Sequence, residues 1–180
     1  LRFGPRDFSH LAAGALAEGI AVAMPGYTLA PDARIGAMVR EIAVAVGTAA
    51  KAVGGPILIA GHSAGGQLAA RMGWGGVLHD DVAERVAVVM PISPLSDLGP
   101  LRETSMNADL RIDAGEAMEE SPAYLLNDEE MPVHVWVGGD ERPAFLDQAR
   151  WLGEAWGVPV MVEAGRHHFD VIEGLERADS

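Results

Sequence analysis

Short apolar runs of strand length alternate with segments of helical period along most of this chain, and that alternation leaves few folds open. The runs are residues 20–24, 57–60, 86–90, 133–137 and 158–162. Each is too short for a buried helix and is bounded by Gly, Pro or charge, as expected of strands buried on both faces. Between them the apolar positions recur with a 3.6 period. Residues 7–18 place Phe8, Leu11, Ala12, Ala15 and Leu16 on one face, and Gly19 ends the segment. Residues 35–53 do the same with Ile35, Met38, Val39, Ile42, Val46, Ala49, Ala50 and Val53, and Gly54, Gly55 and Pro56 stop the helix. Further helices are expected over 66–72, from Pro143 onward with Phe145, Ala149, Leu152 and Trp156 on one side, and over 169–175. The expected class is α/β, a mostly parallel sheet flanked by helices on both faces.

Residues 95–131 break the pattern, being polar, acidic and irregular. One short helix is expected there, over 113–120, because Asp113 and Glu116 have capping-box spacing. The segment is expected to be an insertion packed over the sheet, lidding a pocket. No repeat, low-complexity tract or linker divides the 180 residues, so they form one domain, 1–180, with a substantial core.

The decisive stretch is Gly61-His62-Ser63-Ala64-Gly65, a G-x-S-x-G pattern lying between an apolar run and a helical segment. That context is what a nucleophile elbow requires. The chain turns sharply from strand to helix and the serine hydroxyl stands clear of the sheet. Side chains two residues away on either side would collide, which accounts for both glycines. The helix N-terminus behind the serine points backbone N–H groups at any oxyanion that forms.

A serine nucleophile needs a base, and the base needs an orienting carboxylate. In the expected chain order the carboxylate and then the histidine follow the serine. Asp140 follows the run 133–137 through Gly138 and Gly139, and it is preferred because it lies nearest the strand end; Glu141 is the competitor. His167 and His168 follow the last run, and the residues alone leave the choice between them open. His134, inside a run, is expected to be a satisfied core histidine, and His62 to support the turn. His10 and His79 lie outside any late strand-end loop. No histidine spacing resembles H-E-x-x-H, so no metal is expected.

Charge and composition narrow the partners. A net charge of −13 offers no electrostatic case for nucleic acid or an anionic membrane surface, and the serine chemistry expected above calls for a small-molecule substrate. The chain has no cysteine, which excludes disulfides, a thiol nucleophile and thiolate metal sites, and fits a cytoplasmic location. The longest apolar region, 42–60, is interrupted by Lys51, Gly54, Gly55 and Pro56.

Five blocks carry a family resemblance: "GYTLAPDARI" at 26–35, "AGHSAGGQLAARM" at 60–72, "SPLSDLGPLRETSMN" at 93–107, "VWVGGDERPAFLDQA" at 135–149 and "GRHHFDVIEGL" at 165–175. Together they resemble the kynurenine formamidase (arylformamidase) branch of the α/β-hydrolases, over nearly the whole chain. The resemblance implies Ser63 as nucleophile and Asp140 as acid. It implies His168, the histidine before a phenylalanine, as base, and the Ala64 N–H as one oxyanion donor. It implies hydrolysis of N-formyl-L-kynurenine to L-kynurenine and formate, in tryptophan breakdown, without a cofactor. A broad carboxylesterase acting on small acyl esters, and a non-catalytic binding domain on the same fold, are the alternatives. Pro94 departs from the glycine that relatives often carry after the serine.

The family also carries an H-G-G-x-W block upstream, absent from this chain, which opens on Leu1. By resemblance, 20–24 is strand 4, 57–60 is strand 5, and the strand expected between them is missing. The two must then pair directly or leave backbone groups unpaired. The expectation is an N-terminally truncated fragment, lacking the N-terminal strands. It would be weakly active or inactive by itself, because one lost oxyanion donor costs about 10²–10³ in rate.

Overall fold

The structure, a computed structural model, describes residues 4–125 and 131–178. A 3-10 helix at Pro5–Ala12 runs directly into helix α1 (Ala13–Ala17), and Gly19, at φ +74°, ends the pair. They occupy the helix expected over 7–18. Residues 20–24 form no strand, and Ile20 and Val22 are exposed. An apolar run becomes a strand only when a neighbour pairs its backbone, and no described strand pairs with this one.

Helix α2 (Ile35–Ala52) follows and buries Ile35, Met38, Val39, Ile42 and Ala50 along one stripe. Strand β1 (Ile57–His62) leads through Ser63 into α3 (Ala64–Met72), and the short α4 (Asp80–Ala83) precedes β2 (Val86–Ile92). Two short helices, α5 (Asn107–Leu110) and α6 (Ala114–Glu120), lie in the next segment. Strand β3 (Val135–Gly138), α7 (Pro143–Trp156) and β4 (Val160–Glu163) complete the regular elements. The helix expected over 169–175 is instead a run of turns ending in a 3-10 helix, Glu173–Glu176.

The four strands form one sheet in the order β1-β2-β3-β4, with every pair parallel. Each strand is added on the same side of the last. Right-handed crossovers therefore place their connections on one face, and the main core forms there from Ile42, Ile59, Leu68, Val89, Val135 and Leu152. The sheet is parallel and flanked by helices, as expected, but its two faces are covered unequally. On the opposite face Met90 and Trp136 pack with Ile92, Val171, Ile172, Leu11 and Leu175 near the carboxyl ends of the strands, while Leu58 and Met161 are exposed. The outer edge of β1 has no pairing partner among the described residues.

The segment after β2 packs into the main core on the covered face. Leu98, Leu101, Ile112 and Ala117 are buried in the main core. The segment packs on helices: α6 against α2, and a 3-10 turn (Pro122–Tyr124) against α3 and α7. Asp113 caps α6 as its spacing predicts, accepting a hydrogen bond from the Glu116 N–H at 2.9 Å. On α7, Gln148 is buried and ties down the chain just beyond β2. Its carbonyl oxygen Oε1 accepts from the Ser96 and Asp97 N–H groups, both at 2.7 Å. Residues 126–130 of the expected insertion lie outside the described residues, as does Leu1.

Candidate active site

The site is assembled where three strands end. At the end of β1, Ser63 occupies φ 56°, ψ −116°, a region that L-residues rarely adopt and that costs about 1–3 kcal/mol. The backbone holds it there: the Ser63 N–H donates to the Ile92 carbonyl at 2.9 Å, and the Ser63 carbonyl accepts the first intrahelical bond of α3, from Gln67, at 3.1 Å. A Cβ on Gly61 would come within 2.0 Å of the Gly65 carbonyl oxygen, so this position must be glycine. The second glycine of the pattern behaves differently. A Cβ on Gly65 meets nothing within 4 Å, whereas one on Gly66 would lie 2.9 Å from the Ile92 carbonyl oxygen. The tight approach on the helix side is thus at Gly66, one residue beyond the sequence expectation.

The loop after β4 delivers His168. Its Nε2 lies 3.1 Å from Ser63 Oγ, and its Nδ1 lies 2.6 Å from Oε2 of Glu141. With the carboxylate ionised, Nδ1–H donates to Glu141 and Nε2 is left to accept the Ser63 hydroxyl proton. The Glu141 side chain has no solvent exposure and that of His168 15%.

The orienting carboxylate is therefore a correction: Glu141, not Asp140, contacts His168. Asp140 is exposed, and its N–H is bonded to the Arg166 carbonyl at 2.8 Å. The loop geometry decides between the neighbours. The Gly138 N–H donates to Glu141 Oε1 at 2.9 Å, and a Cβ on Gly138 would sit 2.4 Å from the Arg166 carbonyl oxygen. The chain thus turns back tightly on itself, and the second residue of the Asp-Glu pair faces inward. Nearness to the strand end was the wrong criterion, since side-chain direction within a two-glycine turn is not set by distance along the chain.

Of the two adjacent histidines the structure places His168 at Ser63. His167 is exposed and lies 3.3 Å from Asp170 in an ion-pair geometry. Phe145 stacks on the His168 ring at 3.9 Å between centroids, and His62 meets it at 4.5 Å. Burial, with His168 beside it, pushes the His62 imidazole down to about 4. His62 is therefore neutral at pH 7 and adds no positive charge next to the His168 ring. His134 is exposed rather than a core residue. Ala64 begins α3, and its N–H belongs to the first turn, which no helix carbonyl reaches. Among the described residues no group of three His, Cys, Asp or Glu is placed to hold a metal ion, and no helix is long and apolar enough to cross a membrane.

Sequence reasoning missed Ser93. It is fully buried, at φ 45°, and its hydroxyl donates to Glu141 Oε1. The only signal available was its place at the head of the 93–107 block.

A family model described as the alpha/beta hydrolase fold matches residues 5–137. The chain belongs to the alpha/beta hydrolase fold family. The match includes Ser63 and Ala64 and ends before Glu141 and His168. Among solved structures, the hydrolase-fold chain is 52% identical to a Silicibacter sp. TM1040 protein described as a candidate thioesterase. The TM-score is 0.97, covering 100% of this chain and 69% of that one. It also resembles an esterase from Pyrobaculum calidifontis in fold, at TM-score 0.70 and 21% identity, over 94% of this chain and 64% of that one. Among curated proteins, a kynurenine formamidase from Salmo salar is 27% identical over 176 residues, 90% of this chain. The match to a kynurenine formamidase from Danio rerio, also 27% identical, covers 92% of this chain. The chain spans 60% of the length of each.

Proposed function

We propose that this chain carries the catalytic residues of a serine hydrolase acting through an acyl-enzyme. The observation that carries the reading is the unbroken relay from Ser63 Oγ through His168 to the buried Glu141 carboxylate. His168 Nε2 takes the Ser63 proton as Oγ attacks a carbonyl carbon. The charged imidazole is stabilised by Glu141, and the oxyanion is met by the Ala64 N–H. His168 then returns the proton to the leaving group as its bond to the carbonyl carbon breaks. Water repeats the sequence on the acyl-Ser63, releasing the acid and restoring the hydroxyl.

The substrate we favour is N-formyl-L-kynurenine, cleaved to formate and L-kynurenine in tryptophan catabolism. The curated relatives support this, because their similarity runs over nine-tenths of the chain. A second reading, hydrolysis of small esters or thioesters, is favoured by the 52% identity to the candidate thioesterase. The test compares kcat/KM for N-formyl-L-kynurenine, p-nitrophenyl acetate and a short acyl thioester, with Ser63→Ala as control. Preference for the formamide, lost in Ser63→Ala, supports the formamidase. Strong preference for an ester or thioester replaces it with the second reading. Hydrolysis that survives Ser63→Ala removes the serine mechanism altogether.

A further inference from the structure

We infer that Ser93 is a positioning residue of this site, holding the Glu141 carboxylate in the orientation that His168 requires; the inference rests on the serine-hydrolase reading. Ser93 sits immediately after β2 and is completely buried. Its N–H donates to the Trp136 carbonyl at 2.7 Å, which fixes it between β2 and β3. Its hydroxyl donates to Glu141 Oε1, which also accepts from the Gly138 N–H at 2.9 Å. The two donors occupy Oε1, and Oε2 is left directed at His168 Nδ1.

The backbone at Ser93 supports a functional rather than a packing role. At φ 45° a glycine would be relaxed and a serine is not. A buried residue that needed only to fill this turn would be better served by glycine. The residue there instead carries a hydroxyl, and that hydroxyl is spent on the carboxylate. The neighbouring Ile92 carbonyl accepts the Ser63 N–H at 2.9 Å. Two consecutive residues at the end of β2 therefore hold the two ends of the relay, one by its backbone and one by its side chain.

Without the hydroxyl, Glu141 keeps its burial but loses one of the donors that set its rotation. More of its negative charge is also left to act on the imidazole. The first effect slows proton transfer. The second favours imidazolium, so the low-pH limb of the activity profile moves to higher pH.

Ser93→Gly tests this cleanly, because it removes the hydroxyl while relieving the backbone. In the 180-residue chain we would measure the rate of Ser63 modification by a fluorophosphonate against pH, and the proton resonance of the His168 Nδ1–H. Both would be repeated in Glu141→Gln and in the double variant. A drop of about 10- to 100-fold in the labelling rate is expected for Ser93→Gly. The low-pH limb should move up and the imidazole proton resonance should shift. In the Glu141→Gln background Ser93→Gly should add nothing, since its effect passes through that carboxylate. An unmoved pH limb and an unmoved resonance in Ser93→Gly would overturn the inference, as would an equal loss in both backgrounds. Failure of the parent chain to label at Ser63 would count against the hydrolase reading instead. The imidazole resonance would still report whether Ser93 holds Glu141.

Discussion

At the scale of single residues, the pair Asp140-Glu141 gives the sharpest contrast. One carboxylate is exposed and the other is buried against His168. Glu141→Gln should lower kcat by about 10³-fold or more, because a neutral amide neither holds the imidazole tautomer nor stabilises its charge. Asp140→Asn should stay within about twofold, as for an ordinary surface change. Steady-state kinetics on the preferred substrate checks both, and the reverse ranking would restore the sequence expectation. His62 makes a separate expectation about pH. Its imidazole is held down at about 4 in the folded protein, chiefly by burial, against an ordinary value of 6.5. The unfolded chain therefore binds a proton more readily than the folded one between these values. Stability present above pH 6.5 is lost as pH falls toward 4 and is fully gone below it, at most about 3 kcal/mol from this group. Urea unfolding at pH 7 and pH 4.5 should show a smaller difference for His62→Gln than for the parent; an identical difference would show that His62 contributes none of it.

At the scale of elements, the junction between β1 and α3 rests on close backbone approach at Gly61 and Gly66, with Gly65 in open space. Gly61→Ala should abolish folding or Ser63 labelling. Gly65→Ala should be tolerated, with a thermal midpoint at or above that of the parent, since alanine is the better helix residue by about 1 kcal/mol. Comparable damage from both would contradict the geometry. Behind α3, Arg71 pairs with Glu120 of α6 at 2.8 Å, with both side chains nearly buried, and the guanidinium lies 4.9 Å over the Trp74 ring. Gln67 Nε2 donates to the Glu120 carbonyl at 2.9 Å, a second tie between the same helices. Removing one partner strands a buried charge, so Glu120→Ala should cost about 3–5 kcal/mol in chemical denaturation. Replacing both together, Arg71→Met with Glu120→Leu, should recover most of that loss. Were the double variant as unstable as the single, the cost would lie in packing rather than in the stranded charge.

At the scale of the molecule, the sheet has one covered face and one only partly covered. On β1, Ile59 is buried on the covered side and Leu58 is 57% exposed on the other. Leu58→Lys should therefore change stability by no more than about 0.5 kcal/mol. Ile59→Lys, one residue away, should prevent folding by burying an unpaired charge. Circular dichroism of the two purified variants decides this, and equal disruption would mean that both faces of β1 are packed in solution.

What could be read without the structure was whatever depends on near neighbours in the chain. The periods of α2 and α7, the Asp113 cap and the strand–serine–helix context of Ser63 are local, and each stands within a few residues of where it was expected. The error at 20–24 has the opposite origin: that run is apolar enough for a strand, but strandhood depends on a paired neighbour elsewhere in the chain. The burial of Leu98, Leu101 and Ile112 within the segment 95–131 has a related origin, because they join a core whose other members, such as Ile42, Ile59 and Leu152, are far away in sequence. The choice of Glu141 over Asp140 and the placement of Ser93 belong only to the tertiary structure. Both depend on where β2, β3 and the loop after β4 converge, and the separations along the chain are 48 residues from Ser93 to Glu141 and 105 from Ser63 to His168. Local sequence specifies which residues have the right chemistry; only the packed strands determine which of them point at one another.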